Sequence, residues 1–218
     1  MSKRSYEQYC AVARALDVVG ERWTLLVVRE LLTGPKRFKD LLGGLPGIGT
    51  NLLTARLKDL EGHGLVRRAT LPPPAGSRVY ELTGPGRALE PVVVGLCRWG
   101  SRFFLDAPRA GEDLKPAWAV VAMRAALEPA SGARETYEFR VDEEAFHVRV
   151  EDGEAEARQG PAPTNPDLVI RGGTQAFLDL AAGRLGPTEA MESGVIQFEG
   201  DRDALARCLE MFGVPAAG

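Results

Sequence analysis

In the first hundred residues apolar positions recur every three or four residues, the spacing of helices that bury one face. Val12, Leu16 and Val19 mark a helix over residues 10–20, ended by Gly20. Leu26, Val27 and Leu31 mark a second over residues 23–32, stopping at Gly34 and Pro35. Phe38, Leu41, Leu42 and Leu45 predict a short third helix, closed by the turn Pro46-Gly47-Ile48-Gly49. A fourth spans residues 50–62, with Thr50 as its N-cap. After Gly64 the pattern becomes that of strands, at residues 65–71 and 77–83. Between them Pro72-Pro73-Pro74 removes backbone donors and fits a hairpin tip. Residues 87–105 then predict a long helix with Leu89, Val92, Val93, Leu96, Trp99 and Phe103 on its apolar side.

The second half alternates differently. A helix at residues 118–127 precedes strands at 135–141 and 145–150, and a third at 167–171 after the proline-rich turn 161–166. Helices at 174–182 and 187–191, a strand at 195–199 and a helix at 202–212 complete an α+β pattern, a sheet covered by helices. The expected architecture is multidomain. Residues 1–108 form a mostly-α domain with a two-stranded wing, and residues 113–218 an α+β domain, divided by the polar segment 106–113.

Charge sharpens this division. The net charge of −3 conceals 16 Lys/Arg against 10 Asp/Glu in residues 1–108, and 11 against 20 in residues 109–218. A basic half joined to an acidic half suits one part to a polyanion and not the other. No apolar run approaches the roughly 20 residues that cross a bilayer, and the first residues lack the apolar core of a signal peptide. The expected location is the cytoplasm, with no membrane partner.

Two short helices around a glycine-containing turn, then two strands and a hairpin, are the order of a winged helix-turn-helix. A helix entering the major groove must bury one face and offer polar groups on the other. Leu53, Leu57 and Leu60, at i, i+4 and i+7, fix the buried stripe of residues 50–62. At about 100° per residue, Asn51, Ala55 and Lys58 lie opposite that stripe and Thr54 on its shoulder. Asn51 can donate and accept at a base edge, and Thr50 or Thr54 can reach phosphate or a thymine methyl. Lys58 is a candidate phosphate or guanine contact. Arg56 lies nearer the core flank, in reach of the DNA backbone or of an acidic neighbour. Arg67, Arg68 and Arg78 on the hairpin, with Lys36, Arg37 and Lys39 at the start of the third helix, are candidate phosphate contacts. Each alone reads more readily as a solvated surface group. Their joint placement points to double-stranded DNA.

Other chemistries find little support. Gly47-Ile48-Gly49 hints at a nucleotide-binding loop, but it follows a helix and Leu52 stands where a third glycine belongs. Cys10, Cys97 and Cys208 are widely spaced and odd in number, and His63 and His147 stand alone, so neither a disulfide framework nor a metal site is expected. In residues 113–218 His147 has no partnered Ser or Cys motif, so no catalytic residue, enzymatic activity or cofactor is expected.

The run Tyr9-Cys10-Ala-Val-Ala-Arg-Ala-Leu-Asp-Val-Val-Gly20-Glu-Arg-Trp23-Thr-Leu-Leu-Val resembles the opening of the HxlR family of bacterial regulators. Phe38-Lys-Asp-Leu-Leu and Leu53-Thr-Ala-Arg-Leu-Lys-Asp-Leu-Glu61-Gly-His-Gly64-Leu-Val are similar to its next segments. Tyr80-Glu-Leu-Thr83-Gly-Pro-Gly86-Arg-Ala-Leu89 resembles the strand-to-helix exit of winged-helix regulators. The resemblance implies a homodimer in which the terminal helices of this domain pair and each wing flanks a half-site. It also makes Cys10 a candidate redox residue, since some members use an N-terminal cysteine as a thiol sensor. Reactivity requires nearby positive charge and access to solvent. Arg14 lies one turn away, but a buried, inert Cys10 is the expectation from the residues themselves.

Pro166-Asp-Leu-Val-Ile-Arg-Gly172, Phe177-Leu-Asp-Leu-Ala-Ala-Gly183 and the run from Pro187 through Gly194 to Asp201 resemble the sterol-carrier-protein fold. That implies an apolar pocket for a lipid-like or other small hydrophobic effector, with Phe139, Phe146, Phe177, Leu180, Met191, Ile196, Phe198, Met211 and Phe212 as candidate lining. Each reads more readily as plain core, because periodicity does not separate a filled core from a pocket. The functional expectation is a dimeric DNA-binding transcriptional regulator responding to such an effector. The alternatives are a thiol switch at Cys10, and a lipid carrier to which the DNA domain is secondary.

Overall fold

A computed structural model describes residues 5–72, 76–105, 109, 111–113, 115–127, 134–181 and 183–212. Pro73 and Pro74 of the expected hairpin tip, Ala182, and half of the expected linker at 106–113 lie outside the described residues, as do the expected domain ends at 108 and 218. The chain divides into two compact units, Met1–Leu96 and Cys97–Gly218.

The first unit contains α1 (Ala11–Val19), α2 (Thr24–Leu32), α3 (Phe38–Gly44), α4 (Thr50–Gly62), β1 (Val66–Thr70), β2 (Arg78–Leu82) and the short α5 (Gly84–Arg87). α6 (Glu90–Phe103) begins in this unit and ends in the second. Its core joins Val27, Val28 and Leu31 of α2 and Leu41 of α3 with Leu53, Leu57 and Leu60 of α4, and with Val66, Val79 and Leu82 of the strands. Each of the three α4 leucines removed from water contributes about 1.5–3 kcal/mol, so this stripe fixes the helix's rotation. The α4 N-cap is Gly49 rather than Thr50, because Gly49 has extended backbone and Thr50 is already helical. Gly47, at φ +85°, makes the preceding turn, and the Trp23 ring packs beside it. Lys36 adds a short third segment to the wing: its N–H donates to Tyr80 O at 3.0 Å and its carbonyl accepts Tyr80 N–H at 2.8 Å.

Two helices differ from the pattern expected of them. α1 buries Ala13 and Val19, while Val12 is 67% and Leu16 43% exposed. The long helix expected at 87–105 is broken at Ala88–Leu89 into α5 and α6, and Pro91, which lacks an N–H, sits in the first turn of α6, where none is needed. Of α6 only Val93 is buried; Trp99 is 55% and Phe103 60% exposed. The apolar periodicity is there, but nothing within either unit covers those faces among the described residues.

The second unit opens with a 3-10 turn (Pro116–Trp118) and α7 (Ala119–Ala126). β3 (Glu135–Val141), β4 (Glu144–Glu151), β5 (Glu154–Gln159) and β6 (Leu168–Gly172) follow, then α8 (Thr174–Ala181), α9 (Pro187–Glu192), β7 (Ile196–Gly200) and α10 (Arg202–Met211). The sheet order is β5-β4-β3-β6-β7, with β3 and β6 parallel and the other neighbours antiparallel. β5 was not expected from the sequence. One sheet face, with Tyr137, Phe139, Phe146, Val148, Leu168, Ile170 and Ile196, packs under α7, α9 and α10 as a single core. The opposite face is polar, and there Glu138 accepts the Ala162 N–H at 2.8 Å while His147 Nδ1 donates to Gly160 O at 2.9 Å. These bonds fasten the segment from β5 toward β6 across the sheet.

At the sheet's end Arg207 of α10 grips Glu135 through Nε, at 3.0 and 3.1 Å, and through Nη2. Tyr137, 2% exposed, donates its hydroxyl to the same carboxylate. Burial and that carboxylate push the Tyr137 hydroxyl up, and burial pushes the Cys208 thiol up to about 12, so Cys208 is inert.

Glycine 44 and Glu135 yield two predictions. A Cβ at Gly44 would collide with the buried Glu30 carboxylate, whereas one at Gly43 meets nothing within 4 Å. Gly44→Ala is expected to lower stability by about 1–3 kcal/mol in urea unfolding, and Gly43→Ala to be neutral or stabilising by up to about 1 kcal/mol. Similar losses for both would contradict the assignment. Arg207 holds the Glu135 carboxyl below its ordinary 4.5. A carboxyl depressed in the folded state stabilises fully above that ordinary value, and its contribution is lost as pH falls through the depressed one. Thermal midpoints of the wild type should therefore drop below about pH 4.5 more steeply than those of Arg207→Ala, a difference that vanishes near pH 7 once the constant offset is subtracted.

Candidate nucleic-acid interface

α3, the Gly47 turn and α4 form the helix-turn-helix, and α4's buried leucines turn Thr50, Asn51, Thr54 and Lys58 to solvent. Ala55 is half-buried between them. The Thr54 hydroxyl donates to Thr50 O at 2.8 Å, which leaves its methyl outward as an apolar contact surface. Arg56 does not join this face. It is 16% exposed and bridges Glu21 at 3.7 Å and Asp59 at 3.5 Å, tying α4 to the α1–α2 turn. Ahead of α3, Lys36 and Arg37 are half-buried, and Lys39 in its first turn is exposed. The Arg37 N–H is capped by the Asp40 carboxylate at 3.2 Å.

The wing's pleat separates the three arginines expected to act together. Arg68 stands opposite Tyr80 and Thr70 opposite Arg78, so Arg68 and Arg78 share one face. Arg67 stands opposite Glu81 on the other. Lys36, paired with Tyr80, extends the Arg68–Tyr80 row. Two of the guanidiniums are held by carboxylates that the sequence did not bring to notice. Arg67 Nε and Nη2 both reach Glu81 Oε1 at 2.6 Å. Arg68 Nε and Nη2 meet the two Glu61 oxygens at 2.9 and 3.2 Å, and its guanidinium lies 5.5 Å over the Tyr80 ring. Glu61 is seven residues from Arg68, a spacing with no local signature; only the fold brings α4's last turn to β1.

The thiol differs from its expectation. Cys10 is exposed at the N-cap of α1, and the backbone N–H groups of Ala13 and Val12 hold it below its ordinary value. Arg14 lies over the Tyr9 ring at 5.3 Å rather than on the sulfur. In the second unit the candidate lining residues gather in one cluster except Met191. Phe139, Phe146, Ile196 and Met211 are buried, and Phe177, Leu180, Phe198 and Phe212 pack half-buried against them. Phe139 meets the Phe177 and Phe212 rings edge-on at 6.3 and 5.7 Å.

A helix-turn-helix with an outward polar helix face and a cationic wing is the fold of a DNA-binding transcriptional regulator. A family model described as HxlR-like helix-turn-helix matches residues 18–107, and one described as the SCP-2 sterol transfer family matches residues 119–210. An HTH-type transcriptional regulator of Synechocystis sp. is 38% identical over 92 residues, 42% of this chain and 68% of that one. The HTH-type transcriptional regulator YodB of Bacillus subtilis is 37% identical over 89 residues, 41% of this chain and 80% of that one. A solved structure of reduced YodB is similar at 35% identity and a TM-score of 0.39, covering 44% of this chain and 96% of that one. The redox regulator HypR in its oxidized form is similar at 33% identity and a TM-score of 0.41, covering 44% and 100%. The chain belongs to the HxlR-like helix-turn-helix family and carries in addition an SCP-2-like domain.

Proposed function

We propose that this protein is a dimeric cytoplasmic regulator that places α4 in the major groove and the Arg68/Arg78 face of the wing on the flanking backbone, and whose SCP-2-like unit takes a small hydrophobic effector. The observation that carries the DNA reading is the single outward face of Thr50, Asn51, Thr54 and Lys58, fixed by the buried leucines beneath it. Asn51 reads a base edge, Lys58, Arg68 and Arg78 take phosphates, and Lys36, Arg37 and Lys39 add backbone contacts. A second copy is the natural cover for the exposed apolar stripes: Tyr9, Val12 and Leu16 along α1, and Val92, Leu96, Trp99 and Phe103 along α6. The effector reading rests on α8, which has no fully buried residue although it carries Phe177, Leu178 and Leu180. Its Phe177 and Leu180 pack half-buried against the core. Mass spectrometry of small molecules released from the purified full chain tests this, with an apolar compound expected and a consistently empty protein counting against it.

Binding to duplexes from its own upstream region tests the main reading. Arg78→Ala should weaken binding to every sequence and reduce the salt slope by about one. Asn51→Ala should instead narrow the gap between preferred and mixed-sequence duplexes by about 1–3 kcal/mol. Affinity indifferent to both sequence and salt would refute the proposal.

A second reading is a thiol switch at Cys10, supported by the exposure of its sulfur and by the backbone N–H groups that favour its thiolate. Treatment with diamide should then change DNA affinity of the wild type and leave Cys10→Ser unaffected. An equal response in both proteins removes Cys10 from the mechanism.

A further inference from the structure

The Arg68 guanidinium has two edges that can each make a pair of parallel hydrogen bonds, one through Nε and Nη2 and one through Nη1 and Nη2. Glu61 occupies the first edge with both of its oxygens, at 2.9 and 3.2 Å. The exposures show which partner is the anchor: the Glu61 side chain is 24% exposed and that of Arg68 70%. Glu61 stands in the last turn of α4, and Tyr80 lies beneath the guanidinium as a flat support. Helix and wing together thus hold one flexible side chain in one orientation, with its second edge turned to solvent.

We propose that Glu61 is a positioning residue for DNA recognition: it fixes Arg68 on Tyr80 so that the Nη1–Nη2 edge is presented, already ordered, to a phosphate or a guanine edge. This rests on the DNA-binding reading above and assigns within it a role for an acidic residue. An unpaired arginine loses several rotatable bonds' worth of freedom on contacting DNA, and here that loss has occurred on folding. The opposing effect is repulsion between the Glu61 carboxylate and the phosphate across the guanidinium. That repulsion acts at the solvent-exposed rim, where water and salt screen it. Arg67 differs: both of its donors converge on one oxygen of Glu81, on the other face of the wing, so it has no equivalent place in the recognition surface.

The test begins by selecting a tight-binding duplex from a random-sequence pool with the full wild-type chain. Affinities for that duplex and for a mixed-sequence duplex are then measured for the wild type, Glu61→Gln, Arg68→Ala and the double variant, with thermal midpoints alongside. Glu61→Gln should weaken binding to the selected duplex about fivefold, in line with the ordering cost of one arginine. It should leave the salt slope unchanged, because the cationic contact persists, and have no further effect once Arg68 is alanine. Glu61→Ser serves the same comparison should the glutamine variant not fold. Unchanged or tighter binding by Glu61→Gln, or an equal loss with and without Arg68, overturns the proposal while leaving DNA binding intact. Failure of the pool to yield any preferred duplex overturns the DNA-binding reading and this inference with it.

Discussion

Burial of Leu53, Leu57 and Leu60 in the core that α4 shares with α2 and β1 is the constraint on which the first unit depends. Three leucines on one side of a thirteen-residue helix leave a single low-energy rotation about its axis. That rotation decides which residues meet solvent, keeps Arg56 on Glu21 of the α1–α2 turn, and brings Glu61 to the wing. The polar face is thus a by-product of the apolar one. Recognition residues can vary freely as long as the leucines do not.

The two units also differ chemically. The first half carries the positive excess and the second a negative one of larger size. In the second unit much of the surface charge is spent locally, with Arg140, Arg149, Arg158 and Arg171 each paired to a glutamate on the same or the adjacent strand. A sheet face patterned in this way has no net attraction for a polyanion. Its other face is one continuous apolar core, the setting in which a hydrophobic molecule and a plain core compete for the same volume.

Much of this was legible in the chain, and the failures share a physical cause. The helix-turn-helix and the wing were readable because a buried stripe or an alternating strand leaves its period in the sequence. α1 and α6 carry equally clear stripes, but a period reports that a face is apolar and not which chain covers it; Leu16 and Trp99 are open in the single chain for that reason. β5 escaped because Glu154-Ala155-Glu156-Ala157-Arg158 turns only small alanines inward at the sheet's edge, too faint a signal for a strand. The ties of Arg67 and Arg68 to Glu81 and Glu61 depend on strand register and on the close of α4. Cys10 was expected to be buried and inert; it stands exposed at the N-cap of α1 instead.

The backbone exchange between Lys36 and Tyr80 joins the segment just ahead of α3 to β2, the middle strand of the wing. Helix pair and wing are therefore stitched together at both ends, there and at the β1 start that follows α4. A module braced in this way has little freedom to change the reach between its major-groove helix and its flanking strands. Within one copy the spacing between the two groove segments is a fixed gauge, and a binding site with one base pair inserted between them would be read by one element or the other, not by both.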